Sequence, residues 1–166
     1  MSKFRYRKLA FQLALFLILP ISLVAVAGTL WLRTSLPGLS ENIALRSLEN
    51  PVDIIHDSNG IPHINAESTE DAYRALGFVH ARDRLFQMDF MRRLGAGRLS
   101  EVIGRPNLPL DKTMRTLGLH RLATENVGRL PVEARAALEA YAAGVNAFLI
   151  ARAGALPPEF IALQYK

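Results

Sequence analysis

From Leu9 to Leu32 the chain reads "LAFQLALFLILPISLVAVAGTLWL", an apolar run broken only by Gln12, Pro20, Ser22, Gly28 and Thr29. About twenty such residues span a bilayer as a helix, so this segment is expected to be one. The pattern then changes. Val52, Ile54 and Ile55 precede "DSNG" (Asp57 to Gly60), and Ile61 and Ile64 follow it, which predicts two short strands around a turn. Pro62 confines the second strand to an edge or a strand start. "STED" at Ser68 to Asp71 has a hydroxyl followed three residues later by an acid, the signature of a capping box, and predicts a helix start. Ala72, Leu76, Val79, Phe86 and Phe90 then form one stripe at helical steps, and Gly95 and Gly97 end it. "RLSEVIG" predicts a short helical turn closed by Gly104, and "RPNLPLD" a loop. Residues 112–129 predict a second helix. Pro131 opens a third, with Ala134, Ala137, Tyr141, Val145 and Phe148 as its buried face.

Charge orients the first segment. Lys3, Arg5, Arg7 and Lys8 precede the apolar run with no acid among them, and such a flank stays cytoplasmic, sending the rest to the exported side. "AVA" at Ala25 to Ala27 would also suit cleavage of a signal peptide. The run continues past that site to Trp31, an interfacial anchor residue, which favours an uncleaved anchor. The predicted localisation is therefore the bacterial inner membrane facing the periplasm, or the periplasm after signal cleavage. The organisation that follows is 1–33 as basic flank with anchor or signal, 34–51 as a linker rich in polar residues and prolines, and 52–166 as the folded region. Its fold class is α+β, mainly helical with a short N-terminal strand pair.

Composition excludes several functions. Half the residues are hydrophobic and 21% charged, unlike a disordered polar chain. There is no cysteine, hence no disulfide, thiolate nucleophile or Cys-based metal site. Of twenty basic residues four lie in the N-terminal flank, leaving sixteen against fifteen acidic ones, so the folded part has no phosphate-tracking charge and nucleic acid is not expected as a partner.

Candidate chemistry is sparse. The stripe between Val79 and Phe86 lands on Asp83, which predicts an inward carboxylate held by a structural ion pair with Arg82, Arg84, Arg92 or Arg93. Asp83→Asn is then expected to cost about 1–3 kcal/mol. His80 borders the stripe and is read as a boundary histidine. His56, His63 and His120 lack metal-ligand spacing. "GAG" at Gly95 to Gly97 follows a helix and has Ser100 where a dinucleotide loop needs its third glycine. "HARD" has Met88 where a kinase catalytic loop needs asparagine. "DSNG" lacks the acid ladder of a calcium loop, and neither G-x-S-x-G nor S-x-x-K occurs. The residues alone describe a scaffold.

"GFVHARDRLFQMDFMRRLGAGRLSEVIG" closely resembles the start of the smaller chain in the penicillin acylase family of N-terminal nucleophile hydrolases. "DSNGIPHINAES", "LEAYAAGVNAFL" and "LPPEFIALQYK" match in order, so the likeness runs from about Val52 to Lys166. The family's members act on penicillins, cephalosporin-type side chains or acyl-homoserine lactones. The resemblance implies a precursor that is exported and cuts itself into two chains. The nucleophile, usually serine, becomes the first residue of the larger chain and uses its own α-amine as base. It further implies a four-layer αββα fold and, in the complete protein, a calcium ion between the chains. On this resemblance the sequence is expected to end inside the smaller chain. The resemblance therefore places no catalytic, cofactor-binding or metal-binding residue on a numbered position here. The implied partners are the larger catalytic chain, a small acylated amine and, through the first helix, the membrane. The competing expectation is a truncated, inactive, membrane-anchored helical module. Apolar faces without their natural cover are expected to leave the isolated chain poorly soluble or partly molten.

Overall fold

The computed structural model describes the backbone of residues 2–33, 48–152 and 156–164, and side chains within these from residue 16 onward. Residues 34–47, most of the expected linker, lie outside the described residues, as do the side chains of the basic flank. The chain forms two units, Met1–Leu36 and Pro37–Lys166.

The first unit is helix α1, Ser2–Arg33. Its stretch Phe16–Arg33 has a mean hydropathy of 1.9 and no residue buried by the protein, which makes it long and apolar enough to cross a membrane. The Ser22 and Thr29 hydroxyls donate to the Leu19 and Val26 carbonyls of the same helix, at 2.9 and 2.8 Å. Their polarity is thus absorbed within the helix.

The second unit opens with a hairpin, β1 (Asp53–His56) and β2 (Pro62–Asn65), paired antiparallel with Ile54 opposite Ile64 and His56 opposite Pro62. Pro62 is the first residue of its strand, as its missing N–H demands. The turn is held by Asp57, whose Oδ1 accepts from the Asn59 and Ile61 amides at 2.8 and 2.9 Å.

Helix α2 (Thr69–Gly95) starts as predicted, with Ser68 Oγ accepting from the Asp71 amide at 3.0 Å. The reciprocal half of the capping box is absent, because the Asp71 carboxylate turns to the Glu49 and Asn50 amides instead. The helix ends in a Schellman motif: Arg98 N–H bonds Arg93 O and Gly97 N–H bonds Leu94 O. Gly97 takes the left-handed φ of 62° that this motif needs. Next come α3 (Ser100–Ile103) and a 3₁₀ turn over Arg105–Asn107.

Residues 105–129 correct two sequence expectations. The stretch read as a loop already begins α4 (Leu108–Leu117), since Pro109 in a first turn loses no needed hydrogen bond. The single helix expected over 112–129 is broken at Gly118, whose φ of 69° cannot continue a right-handed ladder, and resumes as α5 (Leu119–Val127). Helix α6 (Val132–Ala151) follows Pro131 as expected, and α7 (Pro158–Ala162) closes the described chain.

The centre of the unit is the crossing of α2 and α6. A Cβ added at Gly77 would lie 2.1 Å from the Tyr141 carbonyl oxygen, and one added at Gly144 would lie 1.9 Å from that of Arg74. The two backbones touch there because neither glycine has a side chain. Ala75, Phe78, Ala81 and Ala140 are buried around the contact, and Phe78 meets Phe148 edge-on at 5.5 Å.

This crossing moves the inward stripe. On α2 the buried positions are Asp71, Ala75, Gly77, Phe78, Val79, Ala81 and Leu85, mostly one residue off the large-side-chain stripe. Non-helical backbone at Arg84 (φ −138°, ψ 25°) turns the second half of the helix further. On α6, Ala134 is exposed, and Ala140 and Gly144 occupy the centre. Small residues define the seam, and they are faint in a pattern of large apolar side chains.

Candidate functional site

A groove of ≈ 510 Å³ lies between the C-terminal half of α2, the end of α6 and α7. Leu85, Met88, Val145, Leu149, Leu156 and Phe160 make it apolar. Phe160 is buried, anchored against Ala81 and Leu85, with its ring edge-on to Phe86 at 5.7 Å. Its rim is charged. Asp89, with a side chain 15% exposed, accepts from Arg93 Nε at 2.8 Å and from Arg92, and Arg93 continues to Glu101 at 3.1 Å. Arg98 completes that network on Glu101 at 2.8 Å. The groove can hold an apolar group.

Asp83 lies elsewhere than expected. The shifted seam leaves it exposed, with Arg82 Nε on its carboxylate at 2.8 Å, and Arg82 also reaches His56 of the hairpin. The buried ion pair read from the sequence is thus a surface pair, and such pairs contribute little. Asp83→Asn is now expected to shift the unfolding free energy by no more than about 0.5 kcal/mol, as urea denaturation would show.

His80 joins the two long helices, its Nδ1 lying 2.9 Å from the Tyr141 hydroxyl. Burial pushes the Tyr141 hydroxyl up, so it keeps its proton at neutral pH. His63 stands 3.6 Å from Asp57 within the hairpin, and His120 sits exposed on α5. These histidines do not converge.

Two buried acids went unnoticed in the sequence as structural centres. Asp71 is fully buried and accepts from the Glu49 and Asn50 amides at 3.2 Å each and from Arg74 Nη1 at 2.9 Å. Asp111, 4% exposed, accepts from the Leu99 and Ser100 amides at 2.8 Å each and from the Ser100 hydroxyl. It caps α3 from a distance of eleven residues, because Leu99 at that helix start has no side-chain acceptor. The missing local cap in "RLSEVIG" was the available signal.

Calcium needs six to eight oxygen ligands. Asp71 and Asp111 have both carboxylate oxygens engaged by N–H or O–H donors, and among the described residues no three acidic or histidine side chains gather as a metal set. The residues described here do not fit that ion.

Among the described residues the geometry is that of a helical scaffold with an apolar groove between α2, α6 and α7. Residues 51–166 match the penicillin amidase family, and the chain belongs to it. It is 46% identical over 129 residues to penicillin acylase 2 proenzyme of Pseudomonas sp. (strain SE83), covering 78% of this chain and 16% of that protein. It is 37% identical over 150 residues to acyl-homoserine lactone acylase QuiP of Pseudomonas fluorescens (strain Pf0-1), covering 86% and 18%. A solved structure, the thermostable penicillin G acylase from Alcaligenes faecalis, superposes with a TM-score of 0.63 at 30% identity over 70% of this chain and 63% of that one. The chain thus spans under a fifth of the length of these two relatives, while the matched chain of the solved acylase is comparable to it in length.

Proposed function

We propose that this chain is the amino-terminal scaffold of an exported amidohydrolase that cleaves the C–N bond of linear amides of the penicillin, cephalosporin or acyl-homoserine lactone type. The continuous family match over residues 51–166 carries this reading. The nucleophile is an N-terminal serine outside these residues, activated by its own α-amine, on a larger chain that completes a four-layer αββα fold. The smaller chain contributes shape: the α2–α6 crossing and the apolar groove. Calcium is assigned to the complete protein, with ligands outside the residues described here.

The purified chain is expected to release no acid from a panel of penicillins and acyl-homoserine lactones above a heat-treated control. Co-production with the larger chain of the Pseudomonas sp. (strain SE83) relative is expected to give turnover. Turnover by the chain alone would overturn this assignment; no turnover with the partner would favour an inactive anchored module.

The first helix supplies the address. A cytoplasm-only reporter fused after Lys166 is expected to stay silent, since the basic flank holds the N-terminus inside. A signal from that reporter would reverse the topology.

A further inference from the structure

The hairpin meets α2 through a polar contact that depends on a proton. Along β1 and β2 the side chains alternate between two faces. Ile54, Pro62 and Ile64 are half-buried, whereas Ile55, His63 and Asn65 are exposed, so His56 shares the face turned to α2. There its Nε2 lies within hydrogen-bonding distance of Arg82 Nη2. Asp83 holds that guanidinium in place, accepting from Arg82 Nε at 2.8 Å.

A guanidinium has five donors and no acceptor, and it never gives up its proton in a protein. The imidazole must therefore accept, with Nε2 bare and the ring proton on Nδ1. Once protonated, the ring offers no lone pair and sets a second cation against the first. His63 and His80 lack this sensitivity. His63 stands 3.6 Å from Asp57, where a proton strengthens the attraction. The Tyr141 hydroxyl, 2.9 Å from His80 Nδ1, can donate or accept and so serves either state of that ring. No nearby acid takes over the role of acceptor for a charged His56. Asp53 lies on the opposite face of the hairpin, Asp57 is engaged by the Asn59 and Ile61 amides, and Asp83 is occupied by Arg82.

We propose that His56 and Arg82 form a pH-sensitive latch between the hairpin and α2, closed while the imidazole is neutral and released when it gains a proton. Histidine changes its charge between about pH 5 and 8, so the latch is closed at the upper end of that range and open at the lower. The buried carboxylates Asp71 and Asp111 keep their charge throughout it, which separates this response from acid unfolding.

The test follows hydrogen exchange in the full chain in detergent micelles at about pH 7.5 and about pH 5.5, each rate corrected for the intrinsic effect of pH. A two-stranded hairpin on its own is marginal in water, so its ladder amides report release from α2. Amides of residues 53–56 and 63–65 are expected to exchange about fivefold faster at the lower pH, with no such change at the α2–α6 crossing. His56→Gln, whose side-chain oxygen accepts at either pH, is expected to lose the response, and His63→Gln to keep it. Ring ¹⁵N shifts of His56 at the higher pH are expected to place the proton on Nδ1, a readout that needs no movement of the hairpin. A proton on Nε2, an unchanged parent rate, a response that survives in His56→Gln or one that vanishes in His63→Gln overturns the latch.

Discussion

Gly144→Ala is expected to force α2 and α6 apart and to destabilise the second unit by about 3 kcal/mol, near the top of the range for overpacking a tight contact. The added methyl would lie 1.9 Å from the Arg74 carbonyl oxygen and 2.9 Å from the Phe78 nitrogen. Both atoms are backbone in the middle of a helix, so no rotamer change can relieve the contact. The helices must separate, and that loosens Phe78 from Phe148 and Ala140 from its neighbours. Gly128 is the internal comparison: nothing lies within 4 Å of its would-be Cβ, and its φ of −70° suits alanine. Gly128→Ala is expected to stay within about 0.5 kcal/mol of the parent. Urea denaturation followed by circular dichroism reads both. A Gly144→Ala protein as stable as its parent would mean the close crossing does not exist.

Asp111→Asn is expected to lower the melting temperature by about 5–10 °C at pH 7, because an amide NH₂ would face N–H donors at one carboxylate position. The pH dependence carries a second signature. Burial pushes the Asp111 carboxyl up, but the Ser100 hydroxyl, the Ser100 and Leu99 amides and the Arg115 charge outweigh it and hold it below the usual carboxylate range. A carboxyl depressed in the folded state contributes stability that is present above its unfolded value, about pH 4, and is lost as pH falls through the folded value. Asp71 acts in the same direction: burial raises it, and the Glu49 amide, Ser68, the Asn50 amide and Arg74 together lower it further. The parent is therefore expected to melt at steadily lower temperature below about pH 4, and Asp111→Asn to show a shallower decline. Identical acid profiles for the two proteins would remove Asp111 from this role.

Both effects lie in places where the linear pattern is quiet. Gly77 and Gly144 carry no side chain for a periodicity to register. Asp111 lies between Leu110 and Lys112 and finds its partners only when α4 folds back on α3.

Legible in the sequence were the apolar N-terminal helix, the hairpin with Pro62 opening its second strand, the Ser68 cap, the entry of α6 after Pro131 and the family resemblance. Each of these rests on local chemistry: a missing N–H, a hydroxyl at a helix start, an uncharged run, an ordered set of motifs. Which face of α2 is inside was set by its packing against α6, which moved Asp83 to the surface and put Asp71 within. The tertiary structure also split the expected second helix at Gly118, where a left-handed residue could not be told from a tolerated helical glycine by its identity alone. The physical reason is common to all of these. A helix's inward face is chosen by the surface it meets, and here that surface is the backbone of another helix, reached through two glycines.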